Sequence, residues 1–140
     1  MKNIYEIFDE FEAANSKKER MEVIQKNLSK TLVDVLELTF HPGIQWTVKS
    51  MPEGYKVKEI PIGMSHCQLS TELRKLYMFR EGDPTAGKLS ERKRNELLIQ
   101  LLESIEPREA EVVYGIFVKD QGVKGLDYAF VKEAFPKLLP

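Results

Sequence analysis

Apolar residues recur at helical spacing along most of this chain, and a single stretch rich in proline and glycine interrupts them. Few folds accommodate that combination. Ile4, Ile7, Phe8 and Phe11 fall at i, i+3, i+4 and i+7, while Glu6, Asp9, Glu10 and Glu12 occupy the other faces. That is the pattern of an amphipathic helix with an acidic back. Ser16 followed by Glu19 has the spacing of a capping box, so a second helix is expected to begin near Lys17 and to carry Met21, Ile24 and Leu28 on one face. Leu32, Val35 and Leu36 continue the helical period until Phe40-His41-Pro42-Gly43, where proline and glycine end it. Three helices therefore fill the first forty residues.

From Ile44 the period changes to two: Ile44, Trp46 and Val48 alternate with Gln45, Thr47 and Lys49, and Pro52, Gly54, Pro61 and Gly63 break up the remainder as far as Ser65. Leu69, Leu73, Leu76 and Tyr77 restore helical spacing up to Phe79. Arg80 to Gly87 reads as an exposed loop and the most flexible point of the chain. Ser90 is placed to cap a helix carrying Leu97, Leu98, Leu101, Leu102 and Ile105, and Pro107 suits the first turn of another that holds Ala110, Val113 and Phe117. Gly122 and Gly125 bracket a turn before a short last helix, Asp127 to Phe135, stopped by Pro136. The expected fold is an all-α orthogonal bundle of about seven helices with one irregular, partly extended insert. At 140 residues the chain is expected to be a single domain, 1–140.

Composition narrows the function. Lys and Arg total 21 against 22 Asp and Glu, a formal charge of −1, so no global positive field draws in nucleic acid and any DNA contact must come from a local patch. One cysteine, Cys67, allows no intrachain disulfide. No apolar run is long enough to cross a membrane and the first residues turn acidic at once, so a soluble, untargeted, cytoplasmic protein is expected. His41, His66 and Cys67 are the strong transition-metal donors, and their spacing matches no zinc site. Ser65-His66-Cys67 reads as ordinary helix-start residues, because adjacent side chains diverge and a nucleophile normally meets its base through the fold. No phosphate-cradling glycine motif occurs. The expectation is a protein with no metal, no cofactor and no catalytic residues, and not an enzyme.

Local basic clusters remain. Arg92, Lys93 and Arg94 fall in the first turn of the helix after Ser90, close to Lys88. Cations there oppose the helix dipole by a few tenths of a kcal/mol each, a placement that a phosphate partner would offset. Lys119 and Lys124 flank a turn whose backbone N–H groups suit an anion. On the insert, Trp46 and Tyr55 interleave with Lys49, Lys56 and Lys58, a composition suited to a nucleic-acid surface. The commoner role of such a tryptophan is to pack the insert onto the bundle.

A resemblance adds to this reading. Thr39-Phe40-His41-Pro42-Gly43-Ile44-Gln45-Trp46, Met51-Pro52, Ile62-Gly63-Met64, Val118-Lys119-Asp120 and the run from Val131 to Pro140 are similar, in order and spacing, to the N-terminal helical DNA-binding domain of the ATP-dependent DNA ligases of T-even phages. The chain also resembles a group of small uncharacterised proteins of T-even-type phages, cyanophages included. The resemblance implies a helical bundle, a place in DNA replication or repair inside an infected bacterium, and contact with duplex DNA through its backbone and minor groove. In the phage enzyme the domain is also associated with the sliding clamp. Ligation is not implied, since no Lys-x-Asp-Gly adenylation motif occurs in these residues.

Two functional expectations follow. The first is a stand-alone DNA-binding module using Lys88, Arg92, Lys93, Arg94, Lys119, Lys124, Gln45, Trp46 and Lys49. The acidic first helix speaks against contact over a broad surface. The second is a protein-interaction module that binds the phage clamp or another replisome or host protein through Leu76, Tyr77 and Phe79, the last of which falls outside the main apolar stripe.

Overall fold

The computed structural model describes residues 2–57 and 68–140. Expectations placed on Lys58, Pro61, Gly63, Ser65, His66 and Cys67 lie outside the described residues. The chain is an all-α bundle: α1 (Ile4–Ala13), α2 (Lys17–Lys26), α3 (Lys30–Phe40), α4 (Leu69–Glu72), a 3-10 helix (Leu73–Phe79), α5 (Pro84–Lys88), α6 (Glu91–Glu103), α7 (Pro107–Val118) and α8 (Tyr128–Ala134). Side-chain caps fix several starts. Ser16 Oγ accepts from Glu19 N at 3.2 Å, Ser29 Oγ from Leu32 N at 3.1 Å, Ser90 Oγ from Lys93 N at 3.1 Å and Asp127 Oδ1 from Phe130 N at 2.8 Å. Each such cap contributes about 1 kcal/mol. Leu28, expected on the inner face of α2, lies beyond that helix's C-cap at Asn27 and is exposed.

The seventh helix is the axis of the core. Its residues Ala110, Val113, Ile116 and Phe117 are buried, and α1, α3 and α6 all pack against it. Phe117 meets Trp46 and Phe79 edge-on, with ring centroids 5.4 and 6.0 Å away, and Phe11 of α1 meets Phe130 of α8 in the same way at 5.0 Å. No described helix is long and apolar enough to cross a membrane.

Two elements depart from the sequence reading. The stretch expected to be one helix from Leu69 to Phe79 has a single α-helical turn and then winds as a 3-10 helix with three residues per turn. That tighter period places Leu73, Leu76 and Phe79 on one stripe, and all three are buried. Phe79 fell outside the stripe only because the stripe was drawn with the wrong period. The segment expected to be the exposed loop Arg80–Gly87 contains α5. Asp83 Oδ1 caps it by accepting from Thr85 N at 2.8 Å, Pro84 occupies its first turn, and Ala86 is buried.

The insert is extended where the sequence alternates. Ile44 and Trp46 point inward and Gln45 outward. Trp46 pairs with Arg80 in an antiparallel bridge, where Thr47 N donates to Phe79 O and Glu81 N donates to Gln45 O, both at 2.8 Å. The bridge fastens the start of the insert to the segment that leads into α5 and α6.

Candidate functional site

That fastening creates a cleft. The insert contributes Thr47, Lys49, Ser50 and Met51 to one wall, and α6 contributes Arg92, Arg94 and Asn95 to the other, around a volume of about 600 Å³. Lys49 and the Arg92–Arg94 cluster are more than forty residues apart in the chain, yet they face one another across this space. Glu53 and Glu91 share the lining, so three cations stand against two carboxylates. Arg92 is almost wholly exposed and reaches Glu96 at 3.4 Å along its own helix; Lys49 lies 3.9 Å from Glu81. Exposed pairs of this kind are worth well under about 1 kcal/mol and leave both cations available to another anion.

Arg94 is built into the wall. Its Nη2 donates to Ala86 O at 2.9 Å and to Leu89 O at 3.3 Å, tying the end of α5 to the first turn of α6, and its buried Nε has no hydrogen-bond partner. Lys119 is committed more deeply still. It is the left-handed C-cap of α7, with φ of 63°, and its Nζ donates to the carbonyls of Leu38 (3.3 Å), His41 (2.7 Å) and Ile44 (2.9 Å). One ammonium thereby satisfies acceptors at the end of α3 and the start of the insert. Burial, and the positive charges of Arg80 and then Lys49, bring its pKa down to about 8. Lys119 is thus a fastening between the end of α7, the end of α3 and the start of the insert, and not a free phosphate contact, which corrects the expectation drawn from the sequence.

The remaining sequence candidates divide by exposure. Lys88, Lys93 and Lys124 are exposed, Lys93 in the same turn of α6 as Arg92 and Lys88 in the last turn of α5. Lys124 stands in the turn before α8 and is not among the residues lining the cleft. Gln45 is exposed and donates to Pro42 O at 3.0 Å. Trp46 is buried against Phe117, so its ring cannot stack on a base, and the packing role replaces the contact role. Leu76 and Phe79, expected to meet a protein partner, are core residues; of that trio Tyr77 alone is exposed. Sequence reading missed Arg80. Its place near Lys119 accompanies the Trp46 bridge, and no local spacing signals it.

Where α1 meets the start of α7, charge is paired. Arg108 donates to both carboxylate oxygens of Asp9, at 2.7 and 2.8 Å, while its guanidinium lies 4.7 Å from the centre of the Tyr5 ring. The hydrogen bond from Arg108 holds Asp9 below its ordinary pKa. Tyr5 Oη donates to Glu106 at 2.8 Å, and Glu109 accepts from Leu69 N at 3.0 Å; burial raises the Glu109 pKa.

A family model described as a family of unknown function (DUF6433) matches residues 7–125. The chain belongs to that family. No curated protein matches its sequence. Among solved structures, all of the chain superposes on part of a ligase-like protein named Pmar-Lig_PreS3, with a TM-score of 0.68 at 16% identity. The superposed region is 32% of that protein, so the family member spans a minor part of its length. At that identity the two share a fold.

Proposed function

We propose that this chain is a non-catalytic module that docks on duplex DNA along the cleft between the insert and α6, as an accessory to replication or repair in a T-even-type phage. The observation that carries this reading is the convergence of cations from separate segments: Lys49 from the insert and Arg92 and Arg94 from α6 on one cleft, with Lys119 within reach of the charges of Lys49 and Arg80. Like charges gathered this way repel, and a phosphate backbone relieves the repulsion. The fold shared with part of a ligase-like protein supports the same direction. In this reading Lys49, Arg80, Lys88, Arg92 and Lys93 meet phosphates, and Arg94 and Lys119 hold the surface in shape. The clamp-binding alternative keeps one exposed residue of the three it relied on, Tyr77.

Fluorescence anisotropy of labelled nicked, intact and single-stranded DNA, followed from low to physiological salt, tests the proposal. Duplex binding should weaken steeply with salt, and Arg92→Glu, Lys93→Glu or Lys49→Glu should each lower the slope of log K on log salt by about one. No binding to any of these DNAs at low salt overturns it.

A further inference from the structure

Arg20, the fourth residue of α2, stands out among the cations of the described residues. Among the described residues its buried Nε has no hydrogen-bond partner, and none of their carboxylates lies within ion-pairing distance of it. The guanidinium carbon is 6.0 Å from the centre of the Phe11 ring. On its other side lies Gly125: a methyl group there would come within 2.9 Å of Nη1 and 3.0 Å of the guanidinium carbon. A long cationic side chain held between a ring and a glycine has lost much of the rotamer freedom that ordinary binding has to remove. The φ of 86° favours glycine here, and a side chain in its place would push the guanidinium aside.

The turn that Arg20 touches has donors to offer. Gly122 N is taken by Asp120 Oδ1 at 2.8 Å, and Leu126 N by Val123 O at 3.1 Å, but the N–H groups of Val123, Lys124 and Gly125 donate to nothing among the described residues. Lys124 is exposed in the same turn. Asp120 is engaged in the turn and Asp127 at the cap of α8; on the α1 and α7 side Asp9, Glu12 and Glu111 line a hollow with Gly122 and Val123, where Arg108 holds Asp9. A fixed guanidinium, a lysine and free backbone donors together are the chemistry that receives a tetrahedral oxyanion.

We propose that Arg20 and the Val123–Gly125 turn form a phosphate-binding site, distinct in its residues from the cleft, and that its natural ligand is a phosphate of the nucleic-acid backbone. The identity of that ligand rests on the DNA-binding reading; the existence of the site does not. Pyrophosphate is the probe that separates the two. In nitrogen-15 NMR spectra of the full chain, pyrophosphate should move the amide signals of Val123, Lys124 and Gly125 and the Nε–H signal of Arg20. Arg20→Gln should weaken the response about tenfold or more, as the loss of a charge-assisted contact requires, and Arg20→Lys, which keeps the charge without the fork, should fall between. Gly125→Ala should abolish the response by displacing the guanidinium, with the far-ultraviolet dichroism of each variant confirming the fold. Pyrophosphate that leaves these signals unmoved, or moves them equally in Arg20→Gln, overturns the site. A duplex arm settles the source. If Arg20→Gln lowers the salt slope of duplex binding by about one, the ligand is backbone phosphate. If duplex binds with an unchanged slope, that source is overturned while the cleft reading stands. If no duplex binds but pyrophosphate does, the DNA reading falls and the site serves a free phosphate compound.

Discussion

Where α1 crosses the start of α7, Asp9 takes both terminal nitrogens of Arg108 and Tyr5 donates to Glu106. Beside the cleft, Arg80 and Lys49 each act on Lys119 with the same sign of charge. The first region settles its charges internally and gains a modest amount of stability. The second keeps a positive neighbourhood in place with backbone carbonyls, which hold an ammonium without cancelling its charge. A formal charge of −1 for the whole chain is therefore no guide to what a phosphate meets at the cleft. Net charge averages over two regions with opposite policies.

The contrast is broken most severely by removing what supports the cleft from beneath. Phe79→Ala should cost about 3–5 kcal/mol in urea denaturation, as for a large buried aromatic, whereas Tyr77→Ala, two residues away and half exposed, should stay within about 0.5 kcal/mol. Comparable losses at both positions would show that the 3-10 stripe is misassigned. Lys119→Met comes next, at about 2–4 kcal/mol, because it strands three carbonyls that a charged donor now satisfies. A DNA-binding defect in Lys119→Glu therefore reports on folding first, and binding by Lys119 variants has to be compared at equal folded fraction.

The pH dependence sharpens the same point. Lys119 releases its proton near pH 8 in the folded chain, against 10.5 as its ordinary value. Between those values the unfolded chain holds more protons, so this group makes stability rise with pH across that window. The advantage of wild type over Lys119→Met should widen from about pH 8 to 10.5, and a constant difference would refute the depressed pKa. At the acid end the paired region carries two opposing trends. Asp9 contributes stability that is present above its ordinary pKa of 3.8 and lost as pH falls through its lower folded value. Glu109, raised by burial above 4.5, binds its proton more tightly when folded, so its contribution is fully present below 4.5 and lost as pH rises through the folded value. Glu109→Gln should flatten that second trend with little net change in stability at neutral pH. Arg108→Ala should cost about 1 kcal/mol or less, as for a half-exposed pair, read as a small shift in denaturation midpoint.

Helices of ten or more residues were legible in the sequence: α1, α2, α3, α6 and α7 follow from Ile4, Ser16, Phe40-His41-Pro42-Gly43, Ser90 and Pro107. The five residues of α5 carry too little periodicity to be read, and Gly87 within them argues for a loop; what makes them helical is Asp83 at the cap and Ala86 against the core. The candidate site divides differently. Clusters of cations are visible in a sequence, but a cation's partner is not when that partner is a backbone carbonyl far along the chain. Lys119 and Lys124 look equivalent in sequence and differ in that one is fastened to Leu38, His41 and Ile44. Arg20 and Arg80 look incidental, and only the fold sets one against Gly125 and the other near Lys119.

Trp46 is the one tryptophan of the chain, buried in the Phe117 contact while its backbone bridges to Arg80. The molecule therefore carries its own optical gauge at the foot of the cleft. Intrinsic emission excited in the indole band comes from this single ring, so a red shift reports that the insert has come away from the bundle, without an attached dye and without a background from other indoles. An anion settling between Lys49 and Arg92 presses on the strand that holds this ring, and its arrival should be readable as a change in the same emission.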